Sequence, residues 1–141
     1  MKKREPVSSI MTKNVVAVQL DDTLTNANNL IRKHHIRHLP VVHGQQLVGI
    51  LSKSDMNRLT FSGLFAGEGD ADEAVFDMLN ISQVMSHKPR AVKESDTIKH
   101  VADILSTEEF HALPVVADDD ESRLVGIVTT TDVIKYMLNN Y

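Results

Sequence analysis

Cysteine is absent from the 141 residues. Disulfides, thiolate metal sites and cysteine nucleophiles are excluded with it. No apolar run approaches the ~20 residues that a membrane helix needs. The start, Met1-Lys2-Lys3-Arg4-Glu5-Pro6, is basic, but no apolar stretch follows it, which argues against a signal peptide. A soluble cytoplasmic protein with no membrane partner is the expectation. Basic charge is in deficit too. Fifteen Lys and Arg stand against 19 Asp and Glu, a formal net charge of −4, which argues against nonspecific nucleic-acid binding. Catalytic signatures are missing as well: there is no Gly-x-Ser-x-Gly, no phosphate-binding glycine-rich loop and no paired acid in an apolar setting. An enzyme is therefore not expected.

What the chain does have is a repeat. Leu39-Pro40-Val41-Val42 returns as Leu113-Pro114-Val115-Val116, 74 positions later. Leu47-Val48-Gly49-Ile50 returns as Leu124-Val125-Gly126-Ile127, 77 positions later, and Ser52-x-x-Asp55 returns as Thr129-x-x-Asp132, also at 77. One unit occurs twice, with three residues added between the blocks of the second copy. Hydrophobic content of 42% suits a folded globule. Each copy, roughly 50 residues, is too small to bury a large core alone, so the copies are expected to pack on each other. Copy one runs from 7 to 57 and copy two from 81 to 141. Residues 58–80 have no counterpart.

In copy one, Val7-Ser8-Ser9-Ile10-Met11 reads as a single helical turn and Val15 to Val18 as a short strand. Asp21-Asp22 precedes Thr23, and Leu24, Ala27 and Ile31 follow at helical spacing, so an Asp is expected to cap a helix. That helix fades around His34-His35. Leu39 to Val42 predicts a strand with Pro40 near its start, and Gly44 a turn. Leu47 to Leu51 predicts a strand buried on both faces, after which Ser52 starts a helix. Copy two follows the same order. Ile81 to Met85 is a turn. Ser95 or Asp96 caps a helix with Ile98, Val101, Ala102 and Leu105 in one stripe. Strands over Ala112 to Val116 and Arg123 to Val128 are joined by the acidic turn Asp118-Asp119-Asp120-Glu121. A last helix from Thr129 is expected to turn Val133, Ile134, Met137 and Leu138 inward. Between the copies, Phe61, Leu64 and Phe65 form an apolar patch, broken by Gly67-Glu68-Gly69-Asp70, and Asp72 to Leu79 reads as a short amphipathic helix. A covering linker is the first reading of this segment, a gating or dimerising element the second.

The polar ends of the repeated strands carry the chemistry. Ser52-x-x-Asp55 and Thr129-x-x-Asp132 have the spacing of a helix-capping box. The same geometry also serves a ligand. A helix N-terminus offers free N–H groups and a positive dipole end to a phosphate, hydroxyls add donors, and a free Asp carboxylate can accept both hydrogens of a ribose diol. The histidines are less telling. His34 and His38 have the i, i+4 spacing of a metal pair, but no carboxylate stands at a matching spacing, and copy two has Glu108 and Ala112 there. Solvated or phosphate-facing histidine is preferred and no metal is expected. Met11, Met56, Met85 and Met137 read as packing residues.

Each copy resembles a cystathionine-β-synthase-type (CBS) motif, and the chain resembles a stand-alone pair of them. In copy one the resemblance rests on Ile10-Met11-Thr12, Val15 to Val18, Asp22-Thr23-Leu24, Ile36 to Val42 and Gly49 to Asp55. In copy two it rests on Val84-Met85-Ser86, Pro89 to Val92, Asp96-Thr97-Ile98, Phe110 to Val116 and Gly126 to Asp132. It implies an α+β fold of tandem βαββα units, packed sheet to sheet with pseudo-twofold symmetry and prone to form a homodimer. It implies a regulatory, energy-sensing module with no required cofactor. Such a module binds adenosine-containing ligands (AMP, ADP or ATP, with NAD and S-adenosylmethionine as further candidates) in two clefts between the motifs and acts on an effector protein that the sequence does not name. Asn14, Ile36 and Arg37 would frame adenine in one cleft, and Lys88, Phe110 and His111 in the other. Ser52, Ser54 and Asp55, or Thr129, Thr131 and Asp132, would take phosphate and ribose. His38 would reach the phosphates of the neighbouring cleft. Copy two has Ala112 there, so the clefts are expected to differ in affinity. Arg32, Arg37, His38 and Lys53 add local positive charge for an anionic tail. The alternative is a structural interaction or dimerisation module with non-binding clefts, whose boxes serve only as helix caps.

Overall fold

The computed structural model describes residues 4–59 and 69–141, with the backbone alone for 69–73. A 3-10 turn at Val7–Ser9 comes first. Copy one then forms β1 (Val18–Gln19), α1 (Leu24–Lys33), β2 (His38–His43), β3 (Gln46–Ser52) and α2 (Lys53–Leu59). Helices α3 (Gly69–Met78) and α4 (Ile81–Val84) and strand β4 (Ser86–His87) follow. Copy two repeats the order with β5 (Val92–Lys93), α5 (Ile98–Thr107), β6 (Ala112–Val116), β7 (Leu124–Thr129) and α6 (Thr130–Asn139). The arrangement is the expected βαββα, twice, in an α+β fold. The patch at Phe61, Leu64 and Phe65, with Gly67 and Glu68 of the expected Gly67-Glu68-Gly69-Asp70 break, lies outside the described residues, whereas Gly69 and Asp70 open α3 and do not break it.

Apolar stripes decide where the helices begin. Leu24 and Ile98 are both buried, and the residue immediately before each supplies the cap. Thr23 Oγ1 accepts the Asn26 N–H at 3.0 Å, and Thr97 Oγ1 accepts the His100 N–H at 3.0 Å. The acids expected as caps do other work. Asp22 accepts the Thr23 N–H at 2.7 Å, Asp96 accepts the Lys93 N–H at 2.8 Å, and Ser95 donates to Asp118.

The two sheets share a pattern. β1 runs parallel to β2 and β5 parallel to β6, while β2–β3 and β6–β7 are antiparallel hairpins. The first strand is shorter and later than the predicted Val15 to Val18, because the chain passes from one packing unit to the other at Val15. Pro40 and Pro114 each sit one residue before the parallel neighbour begins, at Val41 and Val115. A missing N–H is tolerated there because the adjoining strand has not started. Both hairpins carry an irregularity at the same place in the repeat, between Val41 and Val42 and between Val115 and Val116. Gly44 turns the first hairpin at φ 65, a conformation that costs glycine no Cβ clash. β3 is not buried on both faces. Gly49 and Leu51 are buried, whereas Leu47, Val48 and Ile50 are half-buried, so it alternates as a one-faced strand does.

The sequence copies and the packing units do not coincide. One unit is Val16–Lys88; the other joins Met1–Val15 to Pro89–Tyr141. In the second of these, Val7 donates its N–H to Asp96 O at 2.7 Å, and Thr12 and Ile127 exchange backbone hydrogen bonds at 2.8 and 3.1 Å. Tyr136 Oη donates to the Glu5 carboxylate at 2.5 Å. Val7 is fully buried with Val92, Val101, Leu113, Val115, Val128 and Val133. The Val16–Lys88 unit mirrors this. Ser86 and His87 pair with Ile50 and Gly49, and Ile81 and Met85 join a core of Val18, Leu24, Leu39, Leu51 and Met56. Each copy's opening turn is therefore packed in the unit of the other copy. Phe76 of α3 is buried in the same core, and α3 packs on α1 and α2.

The inward face predicted for α6 needs correction. Val133 and Tyr136 are buried, but Ile134, Met137 and Leu138 are 51%, 49% and 70% exposed. Only the narrow arc through Val133 and Tyr136 meets the helix's own core. The remaining apolar residues lie on a wider arc than one sheet can cover.

Candidate functional site

β3 hands over to α2 at Ser52, and β7 to α6 at Thr129. At the first junction Ser52 Oγ accepts the Asp55 N–H at 3.0 Å, and Asp55 Oδ2 accepts the Ser52 N–H at 3.1 Å. At the second, Thr129 Oγ1 accepts the Asp132 N–H at 3.1 Å, and Asp132 Oδ2 accepts the Thr129 N–H at 2.9 Å. Both boxes close reciprocally, so each Asp spends one oxygen on its own helix start. Thr129→Ala is expected to cost ~0.5–2 kcal/mol, the range for a lost cap, read from urea unfolding. A loss below that range would mean that the box adds nothing to the fold.

The same strand ends are tied to the segment before the Leu-Pro block. Lys53 donates its N–H to Arg37 O at 2.8 Å, and Thr130 donates its N–H to His111 O at 3.0 Å. His38 stands opposite Ser52 and Ala112 opposite Thr129. One junction thus gathers Arg37, His38, Ser52, Lys53 and Asp55; the other gathers His111, Ala112, Thr129 and Asp132. Ser54 and Thr131 are exposed on the first turns of α2 and α6, Ile36 packs against the copy-one core, and Phe110 is exposed. Asn14 belongs to the packing unit of copy two and Lys88 to that of copy one, each opposite to the residues it was grouped with. Lys88 adopts φ 48, a left-handed conformation that costs an L side chain about 1–2 kcal/mol. Arg32 lies in the last turn of α1.

The histidine pair dissolves in the structure. α1 ends at Lys33, His34 caps it, and His35 turns the chain at φ 53. His38 is therefore on a strand, where i, i+4 no longer means one helix face. Among the described residues no group of three or more His, Asp or Glu could hold a metal ion, and no helix is long and apolar enough to cross a membrane.

The acidic turn lies at the other end of the β6–β7 hairpin from Thr129, and its charges are used locally. Asp118 accepts from the Ser95 hydroxyl at 2.8 Å. Asp119 pairs with Arg123 at 3.1 Å and Glu121 with Lys93 at 3.1 Å. The hydrogen bond that Lys93 donates to the Glu121 carboxylate raises the pKa of its ammonium above the usual lysine value. Hydrogen bonds from the Ser122 hydroxyl and N–H hold the Asp120 carboxyl below its own.

Two features escaped the reading of the sequence. Gly49 and Gly126 stand where Met85 with Ser86 O, and Met11 with Thr12 O, come within contact of any added Cβ; the repeated Met could have signalled this. The second is an asymmetry in the boxes. Arg58 pairs with the remaining oxygen of Asp55. Its counterpart at the 77-residue offset, Lys135, makes no ion pair with Asp132 among the described residues.

A family model for the CBS domain matches residues 7–60 and 81–139. Protein MJ1225 of Methanocaldococcus jannaschii is 29% identical over 135 residues, 95% of this chain and 48% of its own length. Its crystal structure superposes with a TM-score of 0.80, over 97% of this chain and 49% of that one. CBSX2 from Arabidopsis thaliana, solved in complex with AMP, superposes with a TM-score of 0.79 at 26% identity, covering 96% of this chain and 98% of its own. The CBS domain pair of protein MJ0100, in complex with 5′-methylthioadenosine and S-adenosyl-L-methionine, gives 0.76 at 26% identity with the same coverage. The chain spans about half the length of MJ1225 and less of several other curated relatives. It belongs to the CBS domain family and carries two CBS domains in tandem.

Proposed function

We propose that the chain is a regulatory module that binds adenosine-containing nucleotides and passes the binding state to an effector protein. The observation that carries this reading is the duplicated junction. Twice, a strand ends in a hydroxyl residue and an Asp held at a helix start, next to the backbone of the segment that precedes the Leu-Pro block. That arrangement suits a nucleoside. The Asp carboxylate accepts the ribose diol, while the hydroxyls and the N–H groups of Ser54 and Thr131 donate to the 5′ substituent. AMP, held by CBSX2, and the two ligands held by the MJ0100 pair have adenine on a ribose with a free 2′,3′-diol in common, so that part is the shared determinant and the 5′ group is left to the individual chain. Here Arg37 and Lys53 at the first junction favour a phosphate, and His38 is the candidate to reach the phosphates of the neighbouring cleft, a role that Ala112 cannot take in the second copy. Asn14 with Ile36 and Arg37, and Lys88 with Phe110 and His111, are the candidates to frame adenine. The exposed Ile134, Met137 and Leu138 on α6 support a homodimer. Energy sensing and a cytoplasmic location go with this reading.

A second reading has its own support. Both Asp residues already complete capping boxes without a ligand, so the junctions could serve the fold alone, in a structural interaction module. A thermal-shift screen with AMP, ADP, ATP, NAD, S-adenosylmethionine and cyclic di-AMP separates the two. A ligand at 100 times its Kd stabilises by ~2.7 kcal/mol, a shift of several degrees. A melting temperature unmoved by every one of them would favour the structural module.

A further inference from the structure

We infer that Arg58 competes with the ribose of a bound nucleotide for Asp55, so that the copy-one junction binds more weakly than its own residues would allow. This rests on the nucleotide reading above. The capping box occupies Asp55 Oδ2, which leaves Oδ1 as the edge open to a diol. Arg58, one turn further along α2, donates to that oxygen. The carboxylate is largely enclosed, with 18% of its side chain exposed, while Arg58 is 75% exposed. The guanidinium therefore covers the acceptor from the solvent side and can be displaced without disturbing the core.

Copy two lacks this cover. Lys135 takes the place of Arg58, and Asp132 Oδ1 has no partner among the described residues. A planar guanidinium, with donors arranged in a fork, holds a carboxylate edge in a way that a lysine ammonium does not. The local basic charge of copy one and the arginine thus act in opposite senses: Arg37 and Lys53 attract a phosphate, while Arg58 withholds the ribose acceptor. An exposed ion pair of this kind is weak, and displacing it lowers affinity by about 2–5-fold. The penalty is electrostatic, so salt reduces it.

Calorimetric titration of the full chain with AMP and with adenosine tests this. In an Asp132→Ala background, which leaves the copy-one junction as the site observed, Arg58→Ala is expected to tighten both ligands about 2–5-fold. Arg58→Lys, which copies the second repeat, is expected to do the same, and the gain should shrink at ~0.5 M NaCl. Unchanged affinities for both ligands would overturn the inference. So would weaker AMP binding with adenosine unaffected, since Arg58 would then be a phosphate partner. If the wild-type chain bound neither ligand, the nucleotide reading itself would fall, and this inference with it.

Discussion

Phe76→Ala is expected to lower the unfolding free energy by ~3–5 kcal/mol. The ring is buried in the core formed by Val18, Leu24, Ala27, Ile31, Leu39, Leu51 and Met56, although it belongs to α3, a helix with no counterpart in the second copy. Truncation removes most of an aromatic side chain from a site walled by α1, α2 and β-strand residues that can relax only in part. Total stabilities are ~5–15 kcal/mol, so such a loss would leave copy one close to unfolding. Met78 is the control: it lies two residues on and is exposed, and Met78→Ala should stay within about 0.5 kcal/mol. Urea unfolding of both variants is the measurement. A cost below 1 kcal/mol for Phe76→Ala would mean that α3 is a detachable cover.

Gly49→Ala should cost about 1–3 kcal/mol, with Gly126→Ala as its mirror. A Cβ at Gly49 would collide with Met85 Sδ and lie 2.9 Å from Met85 Cγ and 3.0 Å from Ser86 O. At Gly126 the neighbours are Met11 Sδ at 2.5 Å, Met11 Cγ at 3.0 Å and Thr12 O at 3.0 Å. Methionine can swing aside, but the carbonyls belong to the backbone paired with β3 and β7 and cannot yield without opening those pairs. Gly49→Ala combined with Met85→Ala should therefore show coupling in a double-mutant cycle: the side-chain clash is relieved and the backbone part remains. Additivity between the two substitutions would contradict the packing of Met85 over Gly49.

Much of this architecture is written locally and was legible. The 74- and 77-residue offsets identify the repeat, and buried positions at helical spacing place α1 and α5. The Ser52–Asp55 and Thr129–Asp132 boxes form as their spacing predicts. What failed depended on choices among near neighbours or on distant pairing. Asp22 and Asp96 resemble caps, but Leu24 and Ile98 set the first turn and so select Thr23 and Thr97. The inward face of α6 is narrower than its four apolar residues suggest, because their spacing says nothing of how much core is available to cover them. His34 and His38 share a helical spacing only if the helix continues, and His35 turns it. The packing of Met11 and Thr12 with copy two, and of Met85 and Ser86 with copy one, follows from β pairing far apart in the chain, which no periodicity reveals. Of the candidate site, the two junctions were visible in the sequence. The placement of Asn14 and Lys88 in the opposite packing units, and the pairing of Arg58 with Asp55, were not.

Calorimetric titration of AMP into the 141-residue chain, beside the Asp132→Ala variant, is the most direct test of nucleotide binding at the duplicated junctions. Saturable binding by the wild type is expected, with at least a ~10-fold loss at one site in the variant, about 1.4 kcal/mol. No saturable heat from AMP, adenosine or S-adenosylmethionine, or an affinity indifferent to Asp132→Ala and Asp55→Ala alike, would contradict it and leave both boxes as helix caps alone.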